Sequence, residues 1–187
     1  DRRQRQMCIR DSKMTLNFKK IILTISIIFF INGCGNYSFT GASIPEGTES
    51  FQVNLFDNNA GNNTGSIFEP GLDRDFTIAL QNILENQTNL QMVQSNGDLL
   101  YEGEIVEYRV SPMTATSDLN AAQNRLSISV NVSFQNFKKE DDSFERRFSF
   151  YFDFPAEQQL ISIKSEAHEI IFERITQDIF NASLAKW

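Results

Sequence analysis

Two residues of this 187-residue chain carry a thiol, Cys8 and Cys34, and one carries an imidazole, His168. A cysteine nucleophile, a CxxC redox pair or a soft-metal centre would have to be built from these three. His168 lies in a stretch of helical period, flanked by Ala167 and Glu169 beside an apolar stripe, and reads as a helix surface or boundary residue. Glu166, Glu169, Glu173 and Asp178 fall at the i,i+3 and i,i+4 spacings of any solvated helix face. Asp57, Asp73 and Asp75 lack the Asp-x-Asp-x-Asp-Gly pattern of a calcium loop. Gly61 and Gly65 sit in Asn-rich sequence, and no G-x-S-x-G, P-loop or dinucleotide fingerprint occurs. The expectation is a chain without catalytic residues, metal or cofactor.

The basic groups are scarcer than the acids, so their placement carries more information. Lys138, Lys139, Arg146 and Arg147 flank one turn, and pairing of a hairpin there would bring them together. Such a cluster suits phosphate or carboxylate, with arginine able to make bidentate contact. It also balances Glu140, Asp141, Asp142 and Glu145 in the same hairpin, so both readings stand.

Charge divides the chain. Residues 1–33 carry seven Lys/Arg against two acids, a net +5, whereas residues 34–187 carry ten against 22, a net −12. A body this acidic cannot displace counterions from a phosphate backbone, so nucleic acid is not an expected partner. The basic segment has the layout of an export signal. From Met14, the favoured start, a short basic stretch ending in Lys19-Lys20 precedes the apolar run Ile21–Ile31 and then Asn32-Gly33-Cys34. Eleven helical residues rise about 17 Å, too little for a hydrocarbon core of about 30 Å. Ile31, Gly33 and Cys34 resemble a bacterial lipobox, in which the cysteine is thioether-linked to diacylglycerol and then N-acylated. Two or three acyl chains, at about 0.8 kcal/mol per buried methylene, hold a protein on a membrane. Cys8 falls before the favoured start and Cys34 is taken by lipid, so the mature body has no thiol to spare. The expected organisation is an upstream extension and signal over 1–33, a lipidated tether over 34–50 rich in Gly, Ser, Thr and Pro, and one domain over 51–187.

Within that domain, Phe51–Phe56 alternates as a first strand, and the polar stretch Asp57–Ser66 reads as a loop. Leu72, Phe76, Leu80, Ile83 and Leu84 recur at steps of three and four, predicting a helix over 70–86 with acids in its first turn. After the Asn96-Gly97 turn signal, residues 99–110 predict a long strand. Tyr101 and Ile105 keep one phase while Val106, Tyr108 and Val110 keep the other, which predicts a bulge near Gly103. Residues 111–124 read as a polar loop. Leu126–Phe134 and Phe144–Phe154 then alternate cleanly, each with one apolar and one wet face, so the sheet is covered on one side only. Leu160, Ile163, Ala167, Ile170, Ile171, Ile175, Ile179 and Ala182 predict a closing helix over 158–183. The order β-α-β-β-β-α makes the first strand pair parallel across a right-handed crossover and the later hairpins antiparallel. The result is a two-layer α+β domain, with a four-stranded, mostly antiparallel sheet and two helices on one face.

With these pieces in order, the chain resembles the LptE family of lipopolysaccharide-assembly lipoproteins in its Bacteroidetes-type form. The likeness rests on Cys34-Gly35 followed by Tyr37–Pro45 and Phe56-Asp57-Asn58-Asn59-Ala60. It continues through Ser95–Leu99 with Glu102–Ile105, Asn124–Ile128, Phe148–Phe154 and the terminal Ile179–Ala182. The resemblance implies two helices against a four-stranded sheet, and a periplasm-facing lipoprotein anchored in the outer membrane. It implies a chain that plugs the lumen of an LptD-like β-barrel, helps that barrel assemble and assists lipopolysaccharide delivery to the cell surface. By the same resemblance, Arg125, Lys138, Lys139, Arg146 and Arg147 are the positions for contact with lipopolysaccharide or the partner. The alternative is a stand-alone periplasm-facing lipoprotein that binds another envelope protein.

Overall fold

A computed structural model describes residues 44, 46–113 and 122–185, all within the second of the two units into which the chain divides, Thr40–Trp187. The signal over 1–33, Cys34 and most of the tether lie outside the described residues, as do 114–121.

Strand β1 (Ser50–Val53) and the short β2 (Asp57–Asn58) lead through a 3-10 turn at Ala60–Asn62 to helix α1 (Leu72–Gln87). The chain continues through β3 (Gln91–Met92), β4 (Leu99–Met113), β5 (Gln123–Asn136), β6 (Phe144–Pro155) and helix α2 (Leu160–Leu184). The α+β architecture and the element order match the sequence reading. The sheet has six strands rather than four, ordered β3-β1-β4-β5-β6 with β2 also on β4, because two-residue strands flank the four expected ones. Residues β1 and β4 pair in parallel, and β4-β5-β6 form an antiparallel meander, as a helical crossover followed by hairpins requires.

Helix α1 buries Leu72, Phe76, Leu80 and Leu84, one face at four-residue steps. Asp73 and Asp75 stand in its first turn, and the Thr88 N–H and hydroxyl both close on the Leu84 carbonyl at its end. Helix α2 buries Ala167, Ile171, Phe172, Ile175, Ile179 and Phe180. Ile170, expected in that stripe, is exposed; the buried face turns through Phe172 and Phe180 instead. Both helices lie on the same side of the sheet. The Phe76 ring meets Phe56 edge-on at 5.1 Å and Phe172 at 5.5 Å, joining β1's continuation, α1 and α2. Each fully buried phenylalanine contributes about 2–3 kcal/mol, and this aromatic column sits at the centre of the layer.

The long strand behaves as its two phases predict. One extra residue, Val106, stands between Ile105 and Glu107, so Tyr101, Ile105 and Tyr108 are all buried on the helix side. The bulge falls three residues beyond its expected place. Gly103 precedes it where a Cβ would strike the Asn131 carbonyl and the Phe56 ring. The loop expected over 111–124 is shorter, because Ser111, Pro112 and Met113 pair with Arg125, Asn124 and Gln123. A loop was also expected over 57–66. In fact its side chains close the outer edge of β4: Asn63 Nδ2 donates to the Val106 carbonyl at 2.6 Å, and Ser66 Oγ accepts from the Tyr108 N–H at 2.7 Å. The Ile67 N–H completes that closure on the Tyr108 carbonyl at 2.8 Å.

Between β3 and β4 the chain crosses from one side of β1 to the other. Gly97 is buried in this crossing, and a Cβ there would lie 2.8 Å from the backbone nitrogen of Gln52. Only glycine permits so close a passage. Asn96, just before it, has φ of 56°, the left-handed region that asparagine tolerates.

Candidate functional site

The lone imidazole is a structural tie. His168 Nε2 lies 3.1 Å from the Tyr108 hydroxyl, linking α2 to β4, with the rings edge to face at 5.6 Å. Burial pushes the His168 pKa down, and pushes the Tyr108 phenol up. Glu69, the acid that most opposes the histidine shift, is engaged with Lys164 Nζ at 2.9 Å. No serine hydroxyl hydrogen-bonds the imidazole among the described residues, and no three His, Cys, Asp or Glu side chains converge there as metal ligands would.

The opposite face of the sheet has no covering layer among the described residues and is mostly polar, with Leu100 and the Tyr151 ring as its apolar exceptions. On β4, Glu107 accepts from Ser129 Oγ at 2.9 Å and Arg147 at 3.0 Å, and lies 3.2 Å from Arg109. On β5 and β6, Arg125 grips Asp153 through two bonds of 2.6 and 2.8 Å, and its guanidinium stacks 3.5 Å over the Tyr151 ring. Towards the start of β4 amides replace cations: Asn54 donates to Glu102 at 3.1 Å, and Asn59 and Asn131 donate to Glu104 at 2.7 and 3.1 Å.

At the end where the tether enters, Asp98 gathers donors that sequence reasoning did not single out. One carboxylate oxygen accepts from the Glu49 N–H at 2.9 Å, the Ser50 N–H at 3.1 Å and Ser50 Oγ at 3.0 Å. The other lies 3.0 Å from Lys138 Nζ. The backbone N–H of Glu49 leads these contacts in holding the Asp98 carboxyl well below the usual carboxylate range, with Lys138 next. Asp98 follows an Asn-Gly pair, the one signal in the sequence that this acid sits at a turn where backbone donors are free.

Of the five basic residues expected to make contact, four are already engaged. Arg125 is on Asp153, Lys138 on Asp98, Lys139 on Asp142 at 3.2 Å and Arg147 on Glu107. The hairpin does not gather them into one cluster, because Arg146 sits opposite buried Val132 and Arg147 opposite Asn131, on alternate faces. Arg146 differs from the rest. It is exposed, no acid lies within ion-pair distance among the described residues, and its guanidinium rests 5.4 Å over the Phe144 ring. Its position in the phase of Phe144, Phe148, Phe150, Phe152 and Phe154 was readable from the alternation.

This is an α+β domain of two helices on one face of a mixed sheet, with the other face open and no reaction centre assembled among the described residues. The lipopolysaccharide-assembly (LptE) family model matches residues 48–183, and the chain belongs to that family. Its role is accordingly in lipopolysaccharide assembly as an envelope lipoprotein, and it is not an enzyme. Among solved structures it is similar to a minor lipoprotein from Acinetobacter baumannii, at 15% identity over 74% of this chain and 98% of that one, TM-score 0.46. It is also similar to a hypothetical protein from Chlamydia trachomatis, at 9% identity over 74% and 99%, TM-score 0.49. Rare lipoprotein B from Shewanella oneidensis matches at 13% identity over 70% and 89%, TM-score 0.41. No curated protein matches the sequence. No helix of the described residues is long and apolar enough to cross a membrane.

Proposed function

We propose that residues 1–33 are removed, that Cys34 carries the lipid anchoring the chain to the outer membrane, and that the domain fills the lumen of an LptD-like β-barrel from its periplasmic side. There it would support barrel assembly and lipopolysaccharide transport. The observation that best supports the plug role is the polar sheet face, where Ser129 meets Glu107, Asn131 meets Glu104 and Arg125 meets Asp153 in fixed geometry. A large barrel lumen is lined by water and polar side chains, and such a face, on which Glu107 and Asp153 are already paired with cations, can lie against it. Of the five basic candidates, Arg146 is the one with capacity left for an anionic group of the partner or of lipopolysaccharide. Arg125 and Arg147 stand on the opposite face and, like Lys138 and Lys139, would meet the partner as members of existing ion pairs.

The test is co-purification of the tagged lipoprotein from outer membranes in mild detergent. A stoichiometric LptD-like barrel is the expected result. A monodisperse lipoprotein free of any barrel would favour the stand-alone periplasm-facing reading. Mass spectrometry of the mature amino terminus checks the anchor, since a chain beginning at an unlipidated Cys34, or upstream of it, refutes that part.

A further inference from the structure

The two sides of the sheet are finished differently. On one side the edge of β4 is closed by Asn63, Ser66 and Ile67, and β1 is flanked by β3. On the other side β6 pairs with β5 along its whole length and with nothing else among the described residues. Apart from that ladder, the only backbone bond reaching β6 among the described residues comes at its last residue, where the Gln158 N–H meets the Pro155 carbonyl. A free edge of 12 residues runs about 40 Å. Native proteins blunt such edges with bulges, prolines, lysines or very short strands. The ladder of β6 on β5 has no register shift and its one proline is terminal; its charges are gathered at Glu145, Arg146 and Arg147, while residues 148–154 hold only Asp153. Phe150 and Phe152 remain only half-buried in the row that faces α2.

We infer that the free edge of β6 is a strand-addition site for an extended segment of a different protein chain, one that places an acidic residue opposite Arg146. Main-chain bonds would supply the affinity and side chains on alternate faces the register. Charge selects a different chain over a second copy. In an antiparallel pair of two β6 strands about a twofold axis normal to the sheet, opposing residues share a face. The face of Arg146 offers only Phe144, Phe148, Phe150, Phe152 and Phe154, while Glu145 and Asp153 lie on the other. Self-pairing therefore leaves the guanidinium without a carboxylate in a newly covered site, a costly arrangement. A foreign strand with Asp or Glu at that position neutralises it and extends the phenylalanine row with its own apolar side chains. The inference rests on the barrel reading only for the identity of the donor, which would then be a loop or extension of the barrel chain, because the wall of a closed barrel has no edge to offer.

Hydrogen exchange on the full lipoprotein tests it. The tagged chain is recovered from outer membranes in mild detergent with its native company and compared with the same chain stripped in strong detergent. About half of the β6 amides, those pointing away from β5, should exchange at least tenfold more slowly in the native particle, while amides of the 63–67 segment stay unchanged. Equal exchange of β6 in both samples overturns the inference whether or not a barrel is present. Protection in a particle containing only this chain overturns the assignment to a different partner. A barrel present with β6 unprotected leaves the plug reading intact and removes this one; protection by another chain without a barrel does the reverse. As a second measurement, Arg146→Glu changes an exposed side chain that holds no ion pair among the described residues, so the thermal midpoint should hold while partner recovery falls about tenfold. Undiminished recovery refutes the charge match.

Discussion

Asp98→Asn keeps the shape of the side chain and removes its charge at the point where the tether joins the domain. The carboxylate serves the Glu49 and Ser50 N–H groups, Ser50 Oγ and Lys138 Nζ, all between 2.9 and 3.1 Å. Hydrogen bonds to a charged group contribute about 1.5–3 kcal/mol each. They share one acceptor and so do not add, and the side chain is 20% exposed, so water replaces part of what is lost. The expected destabilisation at neutral pH is about 2 kcal/mol. The sign with pH follows from the depressed carboxyl pKa. Its stabilisation is complete above the unfolded value of about 3.9 and is lost as pH falls through the lower folded value. Urea unfolding of the mature wild-type and D98N chains from pH 7 downward measures both features. The two should differ at pH 7 and converge progressively below about pH 4. A loss under about 0.5 kcal/mol at pH 7, or a gap unaffected by acid, would refute the view that this carboxylate ties the tether junction together.

Three further outcomes are expected. His168 has its pKa lowered by burial, so its contribution is complete above the unfolded value of about 6.5 and lost as pH falls through the folded value. Wild type should weaken in urea between pH 7 and 5 while His168→Gln shows a flatter profile; parallel profiles would contradict the buried neutral imidazole. Tyr101→Phe removes the 3.0 Å bond to Ser183 Oγ in the core and should cost about 1 kcal/mol by chemical denaturation, with no change in far-UV circular dichroism. Gly103→Ala drives a methyl into the Asn131 carbonyl and the Phe56 ring, and should cost at least about 3 kcal/mol or prevent folding, read as the drop in thermal midpoint.

How far the sequence foretold the fold depended on the length of each pattern. The alternation of Leu126–Phe134 and Phe144–Phe154 spans enough residues for two strands and their buried face to be read directly, and the structure keeps both registers. Strands β2 and β3 have two residues each, too few for any period, and exist because β4 and β1 present edges that need partners. The bulge was announced by a change of phase in residues 99–110, but its exact residue depends on how β5 packs behind it. Ile170 illustrates the limit for helices: apolarity alone put it in the stripe, whereas Phe172, two residues on and about 200° round the helix, took the space under α1. Among the candidate contact residues, residue type was visible and pairing was not. Nothing local to Arg147 or Lys138 points to Glu107 or Asp98, which lie 40 residues away in the chain. The isolation of Arg146 likewise emerges only after every other described cation has found its acid.

The placement of β1 has a mechanical consequence. Residues preceding Ser50 enter the domain at the start of that strand, which lies between β3 and β4, parallel to both. A pull transmitted through those residues along the strand would load its flanking ladders in shear, so that the bonds must yield together instead of opening one by one. Tension arriving from that side would therefore meet the strongest direction of the sheet while the core stays undisturbed.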